Sequence, residues 1–323
     1  MGRCFKQEFA FFKLRIGIRN QRIYIQLSKY RTYQANFFPR KLNQTSLSDN
    51  QISDISSIYK LQNLKKLDLK SNNIQDISTL ESLTDLIQLS ELNLQNNKIS
   101  DFSAISQIKN LNKLYLNSNH IEDISALQSL PNLTHLGLSN NKFTAYTLAL
   151  PNLVELTLYS NTLQDKSGLQ HSLKLERLDL SWTETTDLQT IPQQLFCLKY
   201  LILLSNNISE ISHLSNFVHL QHLSLGHNQQ LQNIGPLKFC TQLTKLDISE
   251  TNVADIWPLQ FMNNLKTLEM AYIQVVDLHP LQHLRKLESI YALYTCIIDV
   301  SPLATLTQLN YLDFRNNKIT NAI

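Results

Sequence analysis

The sequence predicts an α/β solenoid, in which short parallel strands stack into one sheet and compact turns return behind it. Three observations predict it. A frame opening on leucine starts at Leu42, Leu64, Leu89, Leu111, Leu133, Leu153, Leu175, Leu198, Leu220, Leu243, Leu265, Leu287 and Leu309, mostly 22 residues apart. Inside each frame, apolar and polar residues alternate over positions 3 to 7, which marks a strand with one face buried. Asparagine then recurs at position 9. A unit of this size cannot bury its own apolar face, so consecutive units must stack and share a core.

Each position has a physical role. Positions 4 and 6, such as Leu67 and Leu69, point into the core. Position 9 is Asn50, Asn72, Asn97, Asn119, Asn141, Asn161, Asn206, Asn228 and Asn317. Where the chain leaves the strand, backbone N–H and C=O groups need partners, and a buried amide both donates and accepts. Stacked copies are expected to form a ladder. Thr183, Thr251, Ile273 and Thr295 interrupt it. Position 11 turns an apolar side chain back inward. Position 13 is usually Asp, ahead of Ser and a short apolar run, which predicts a capped helical turn. Pro236, Pro258, Pro280 and Pro302 follow at or near position 16, which predicts 3₁₀ turns and extended pieces rather than long helices.

The strings D-I-S-T-L at 76–80, D-I-S-A-L at 123–127, D-I-W-P-L at 255–259, D-L-H-P-L at 277–281 and D-V-S-P-L at 299–303 resemble the short leucine-rich repeats of bacterial internalins. The leucine-rich regulatory subunit of protein phosphatase one shares that repeat class. The resemblance covers residues 42–323 and implies a leucine-rich-repeat horseshoe with a parallel concave sheet and a convex side of 3₁₀ turns and loops. It rests on scaffold positions, so no partner-contacting residue carries over.

Residues 1–41 stand outside the clear frame. Phe12, Leu14, Ile16 and Ile18 alternate with polar residues, as do Ile23, Ile25 and Leu27, which predicts two strands about a turn at Asn20–Gln21. The segment is expected to cap the first repeat, or to be a decayed repeat; a basic arm is the alternative. The last repeat stops at Ile323 with its convex half unfinished, and the expectation is a fragment of a longer chain or an edge covered by a partner.

The net charge of +3 conceals an asymmetry. Residues 1–41 hold ten Lys/Arg and one acid, about +9, against 19 Lys/Arg and 25 Asp/Glu in the repeats, about −6. Neither an acidic body nor a concave face without a basic stripe suits nucleic acid. Cys4, Cys197, Cys240 and Cys296 do not cluster at either end, as stapling disulfides would, and read as thiols in a reducing compartment. No apolar run approaches a membrane span, and charges interrupt the apolar start of the chain. A cytoplasmic location is expected, or the cell surface if an upstream signal precedes this chain.

Positions 3, 5, 7 and 8 face the concave side. Early repeats present polar residues there. From the sixth repeat the face changes: Tyr159, Trp182, Tyr200, Ile202 and Leu204 form one group, and Tyr272, Tyr291, Leu293, Tyr294 and Tyr311 a second. His222, His227, Lys245, Asp247, Glu250 and Glu269 lie between. Exposed aromatics rimmed by charge mark a protein-binding hot spot, against the plainer reading that stacked tyrosines stabilise the sheet. No catalytic, cofactor or metal site is expected. His219, His222 and His227 fall on diverging positions, His279 and His283 lie on the convex side, and no phosphate-cradling loop or nucleophile elbow occurs. The expected function is a non-enzymatic protein-interaction scaffold, with a phosphatase-type regulatory subunit as its most concrete form. The alternatives are an internalin-like surface adhesion protein and the recognition fragment of a larger enzyme or receptor.

Overall fold

The computed structural model describes residues 14–19, 22–27, 42–56, 58, 61–80 and 88–320. The turn expected at Asn20–Gln21 and the remainder of residues 1–41 lie outside them, as do the last three residues. The chain divides into two compact units, Met1–His120 and Ile121–Ile323.

In the first unit, β1 (Leu14–Arg19) and β2 (Arg22–Leu27) pair antiparallel. Parallel strands β3 (Gln44–Ser46), β4 (Lys66–Asp68), β5 (Glu91–Asn93) and β6 (Lys113–Tyr115) follow in sequence order. Strand β2 runs parallel beside β3, with Ile23 opposite Thr45.

The second unit continues the pattern with β7 (His135–Gly137), β8 (Glu155–Thr157), β9 (Arg177–Asp179), β10 (Tyr200–Ile202) and β11 (His222–Ser224). Strands β12 (Lys245–Asp247), β13 (Thr267–Glu269), β14 (Ser289–Tyr291) and β15 (Tyr311–Asp313) complete it. Every neighbouring pair is parallel and in register. Each strand spans positions 3 to 5 of its repeat. In β8 to β14 the middle residue is buried and its two neighbours are half-buried.

The core is the stack of positions 1, 4, 6 and 11. Leu220, Leu223 and Leu225 in one repeat meet Leu243, Leu246 and Ile248 in the next, all buried. Each such side chain contributes roughly 1.5–3 kcal/mol on burial. The 20-residue repeat from Leu133 is filled differently: Phe143 and Tyr146 are buried in it, and its return segment is extended, with Ala145 bridging Asp165. Gly168 is required there, because a Cβ would sit 2.7 Å from the Leu148 nitrogen and 2.8 Å from the Tyr146 oxygen.

The return side carries 3₁₀ turns. They include Ser103–Gln107 in the first unit and Ser167–His171, Gly235–Phe239, Trp257–Phe261 and Ser301–Leu303 in the second. Pro236, Pro258, Pro280 and Pro302 each sit at the start of a turn, where a missing N–H costs nothing. The position-13 aspartates act one residue earlier than a simple N-cap. Asp101, Asp165 and Asp299 accept from the N–H two residues on, at 2.9, 2.7 and 2.8 Å, while the residue between holds the cap position. Asp187 alone is itself the cap in the described turns. The backbone N–H and hydroxyl of the following serine hold the Asp101, Asp165 and Asp299 carboxyls below their ordinary range.

The asparagines tie adjacent repeats together. The Asn228 side-chain oxygen accepts from Asn206 N–H at 3.0 Å and Ile208 N–H at 2.9 Å. Its amide donates to Leu203 O of the previous repeat at 2.9 Å and to Leu225 O of its own at 2.7 Å. Asn72, Asn97 and Asn119 repeat this in the first unit, and Asn161, Asn206 and Asn317 in the second. Asn141 accepts from Ile121 N–H and donates to Leu138 O, and Asn50 donates to Leu47 O of its own repeat. Threonine does not reach the previous repeat: Thr251 donates to Ile248 O of its own repeat at 2.7 Å, and Thr183 and Thr295 reach only forward, to the side-chain oxygens of Asn206 and Asn317.

Candidate functional site

The candidate surface lies wholly in the second unit, on the side of the sheet opposite the core. Parallel register builds it row by row. Position 3 aligns Arg177, Tyr200, His222, Lys245, Thr267, Ser289 and Tyr311, and position 5 aligns Ile202, Ser224, Asp247, Glu269, Tyr291 and Asp313. Neighbours in a row are roughly 4.8 Å apart.

Position 8, just after the strand, has a backbone conformation of its own. Trp182, His227, Glu250, Tyr272 and Tyr294 all have φ between 52° and 57°. This is the left-handed region, costing roughly 1 kcal/mol or more for a bulky L-residue. The position is left-handed because the parallel ladder continues past the strand through it. Trp182 N–H donates to Leu204 O, Glu250 N–H to Ala271 O, and Tyr272 N–H to Leu293 O, at 2.8–2.9 Å. In the first unit the same position holds Asp49, Ser71, Asn96 and Ser118, short polar residues that adopt this conformation with less strain. In the second unit Asn140, Ser160, Ser205 and Asn316 keep the position short, while the other five repeats put large side chains there.

Of the residues singled out in the sequence, Tyr159, Trp182, Tyr272, Tyr294 and Tyr311 are exposed, Trp182 most of all at 63%. Tyr200, Ile202, Leu204, His222, Lys245, Asp247, Glu269, Tyr291 and Leu293 are half-buried. The two aromatic groups are built differently. Tyr200 packs on the His222 ring with centroids 4.4 Å apart, under the Arg177 guanidinium at 5.1 Å. Burial, then Lys245 and Arg177, push the His222 imidazole below its ordinary pKa. The second group forms two pairs: Tyr272 stacks on Tyr294 at 4.8 Å, and Tyr291 meets Tyr311 at 4.8 Å.

Between the groups the position-7 side chains are small. Position 7 is Gly226, Ser249 and Ala271 in three consecutive repeats, and a Cβ on Gly226 would lie 2.9 Å from an Asp247 oxygen and 3.0 Å from Leu204. Asp247 accepts from the Ser224 hydroxyl at 2.7 Å and Ser249 N–H at 3.0 Å. Lys245 pairs with Glu269 at 2.7 Å, His227 with Glu250 at 2.9 Å, and Arg315 with Asp313 at 2.7 Å. The Arg315 contact holds the Asp313 carboxyl below its ordinary range. His227 and Glu250 lie between the two aromatic groups, as the sequence places them, while Gly226 had not stood out. At position 8 the first unit is short and polar throughout, and five repeats of the second unit are bulky.

Histidines 219, 222 and 227 do not converge, and no group of three or more His, Cys, Asp or Glu able to hold a metal occurs among the described residues. Cys197, Cys240 and Cys296 are free thiols, and burial pushes Cys240 up to about 12. No helix among the described residues is long and apolar enough to cross a membrane.

A model of paired leucine-rich repeats matches residues 46–82, 63–107, 87–129 and 109–150. A crystal structure of an internalin from Listeria monocytogenes superposes with a TM-score of 0.79 at 29% identity, covering 86% of this chain and 82% of the other. The chain is a leucine-rich-repeat solenoid similar to bacterial internalins. A leucine-rich-repeat protein of Leptospira interrogans matches this internalin-like solenoid with a TM-score of 0.69 at 27% identity, over 91% of this chain and 83% of the other. The functional domain of InlJ from Listeria monocytogenes, which includes a cysteine ladder, shares the fold with a TM-score of 0.70 at 22% identity, over 87% and 65%. Among curated protein sequences none matches the chain.

Proposed function

We propose that this internalin-like solenoid is a non-enzymatic protein-interaction scaffold that binds a protein partner through the outer sheet face of repeats six to thirteen. One observation carries the reading. Five bulky side chains, Trp182, His227, Glu250, Tyr272 and Tyr294, stand at left-handed positions that Asn, Ser or Asp fill elsewhere. Stacking returns part of this strain at Tyr272 and Tyr294, and contact with a partner would recover the rest. A regulatory subunit acting on a bound enzyme is the most concrete form. The paired β1 and β2, lying beside β3, serve in this reading as the cap of the first repeat.

A second reading, adhesion at a cell surface, draws on the likeness to the Listeria internalin and uses the same face. The free thiols favour the intracellular form, since disulfides persist in oxidising compartments.

The test is affinity capture from native lysate with the wild-type chain and the Trp182→Asn/Tyr272→Asn variant. The half-buried Tyr200 and Leu204 are poorer probes, because truncating them also disturbs packing. A partner held by the wild type and lost by a folded variant supports the reading. A partner held equally by both contradicts it.

A further inference from the structure

A second apolar surface lies away from the sheet face, where the chain leaves each 3₁₀ turn and returns to the next strand. The buried residues Ser172, Leu195, Phe217, Cys240 and Met262 hold one equivalent place in five consecutive repeats of the second unit. Beside that column each repeat exposes one large apolar side chain. In the first three repeats it is the residue after, Leu173, Phe196 and Val218; in the next two it is the residue before, Phe239 and Phe261. Phe196 is 69% exposed, more than any other large apolar side chain among the described residues. Trp257 opens the turn that Phe261 closes and meets that ring edge-on at 5.2 Å. Equivalent places in stacked repeats face the same way, so these side chains form a band along one flank.

Charge narrows the choice of occupant. The return segments 167–174, 188–197, 212–219, 235–242, 257–264 and 279–286 hold no Asp or Glu, within a repeat body that is acidic as a whole. Their cations are Lys174, Lys238, Arg285 and Lys286. Among the described residues, none of these four pairs with a carboxylate. Lys174 and Lys286 donate to the neutral Asn152 and Asn264 at 2.8 Å, and Lys238 lies over the Phe239 ring at 5.1 Å. The neighbouring carboxylates are already engaged. Asp165, Asp187, Asp255 and Asp277 stand ahead of the turns and accept from the N–H two residues on. Glu176 and Glu288, just past the band, pair with Lys199 and Lys266 at 2.9 and 2.7 Å.

An exposed apolar patch of this extent marks a protein or membrane contact. Lysine is depleted from protein interfaces. At a bilayer surface, by contrast, aromatic rings settle at headgroup level, and a lysine stem lies along apolar surface while its charge meets anionic lipid. We propose that this flank rests on an anionic lipid bilayer. Phe196, Phe239 and Phe261 enter the headgroup region, and the four unmatched cations meet the anionic headgroups. None of the sheet-face residues takes part, so the two surfaces can be tested apart.

The chain's two tryptophans report on them separately, Trp182 from the sheet face and Trp257 from the flank. The test is flotation of the full chain with vesicles of phosphatidylcholine alone and of phosphatidylcholine and phosphatidylserine in equal parts. Trp257 emission is read in the Trp182→Phe variant, and thermal unfolding confirms that each variant is folded. The expected result is capture by the mixed vesicles with a blue shift of Trp257. Partition is expected to weaken about tenfold or more in Phe196→Ser/Phe239→Ser/Phe261→Ser. It is also expected to weaken in Lys174→Gln/Lys238→Gln/Lys286→Gln and as salt is raised. Residues 1–41 hold ten Lys/Arg and one acid, so capture alone does not decide. Capture without a Trp257 shift, or undiminished in the serine variant, assigns the binding to that basic segment and overturns the proposal. No capture by either vesicle overturns it as well; a wild-type dimer lost in the serine variant would then give the flank to a second copy.

Discussion

Tyr272 and Tyr294 stack at 4.8 Å with their planes 12° apart, each on a backbone twisted into the left-handed region, with φ of 56° and 52°. Stacking returns roughly 0.5–1.5 kcal/mol, about what one such conformation costs. Replacing one tyrosine of the pair therefore gives up the stack and relieves one such conformation, near balance for folding. Tyr294→Asn is expected to leave unfolding free energy within about 1 kcal/mol of the wild type, measured by urea titration.

The Asn ladder is different, because six of its rungs, Asn72, Asn97, Asn119, Asn161, Asn206 and Asn228, are buried. Asn228→Ala removes bonds to Leu203 O and Leu225 O and strands the N–H groups of Asn206 and Ile208. The expected loss is about 2–4 kcal/mol, from more than one buried group left unpaired. Leu223→Ala in β11, where the side chain is 2% exposed, is expected to cost about 2–5 kcal/mol. Chemical denaturation of the two variants measures both.

Acid destabilises the fold in two stages. His222 has a lowered folded pKa, so the unfolded chain binds its proton more readily. Its contribution is present above pH about 6.5 and is lost as pH falls through the lower folded value. The turn aspartates Asp76, Asp101, Asp165, Asp277 and Asp299 are also lowered, by bonds from the residue two ahead. Their contribution is present above pH about 4 and is lost below it. Melting temperature against pH is expected to fall gently below neutrality and again in the carboxylate range, and His222→Gln is expected to remove the first decline.

The thiols are expected to separate by burial. Cys197 is exposed, Cys296 is partly exposed and Cys240 is buried, with its thiol pushed up to about 12. Iodoacetamide labelling of the native chain, read by mass spectrometry, is expected to modify Cys197 first and to leave Cys240 intact until the chain unfolds.

The repeating core was legible because its causes are local and periodic. Leu67 and Leu69 alternate with polar neighbours, and nine asparagines mark the turn off the strand. The outer face was legible only in part. Tyr200 reads as exposed from its position, yet the His222 ring and the Arg177 guanidinium cover it, a contact set by the pairing of three strands. The left-handed state of position 8 was written in Asp49, Ser71, Asn96 and Ser118, but Trp182 and Tyr272 obscure the pattern. The need for glycine at 226 depends on the Asp247 carboxylate arriving from the next repeat, which periodicity alone does not convey.

The central claim is that the bulky residues at position 8 are kept for contact at a cost to folding. Trp182→Asn tests it most directly, by urea-induced unfolding of the variant beside the wild type. Asn tolerates a φ of 54°, and the side chain it replaces is 63% exposed. The account predicts a gain in stability of about 1 kcal/mol. A loss of 1 kcal/mol or more would make Trp182 a structural residue and contradict the account.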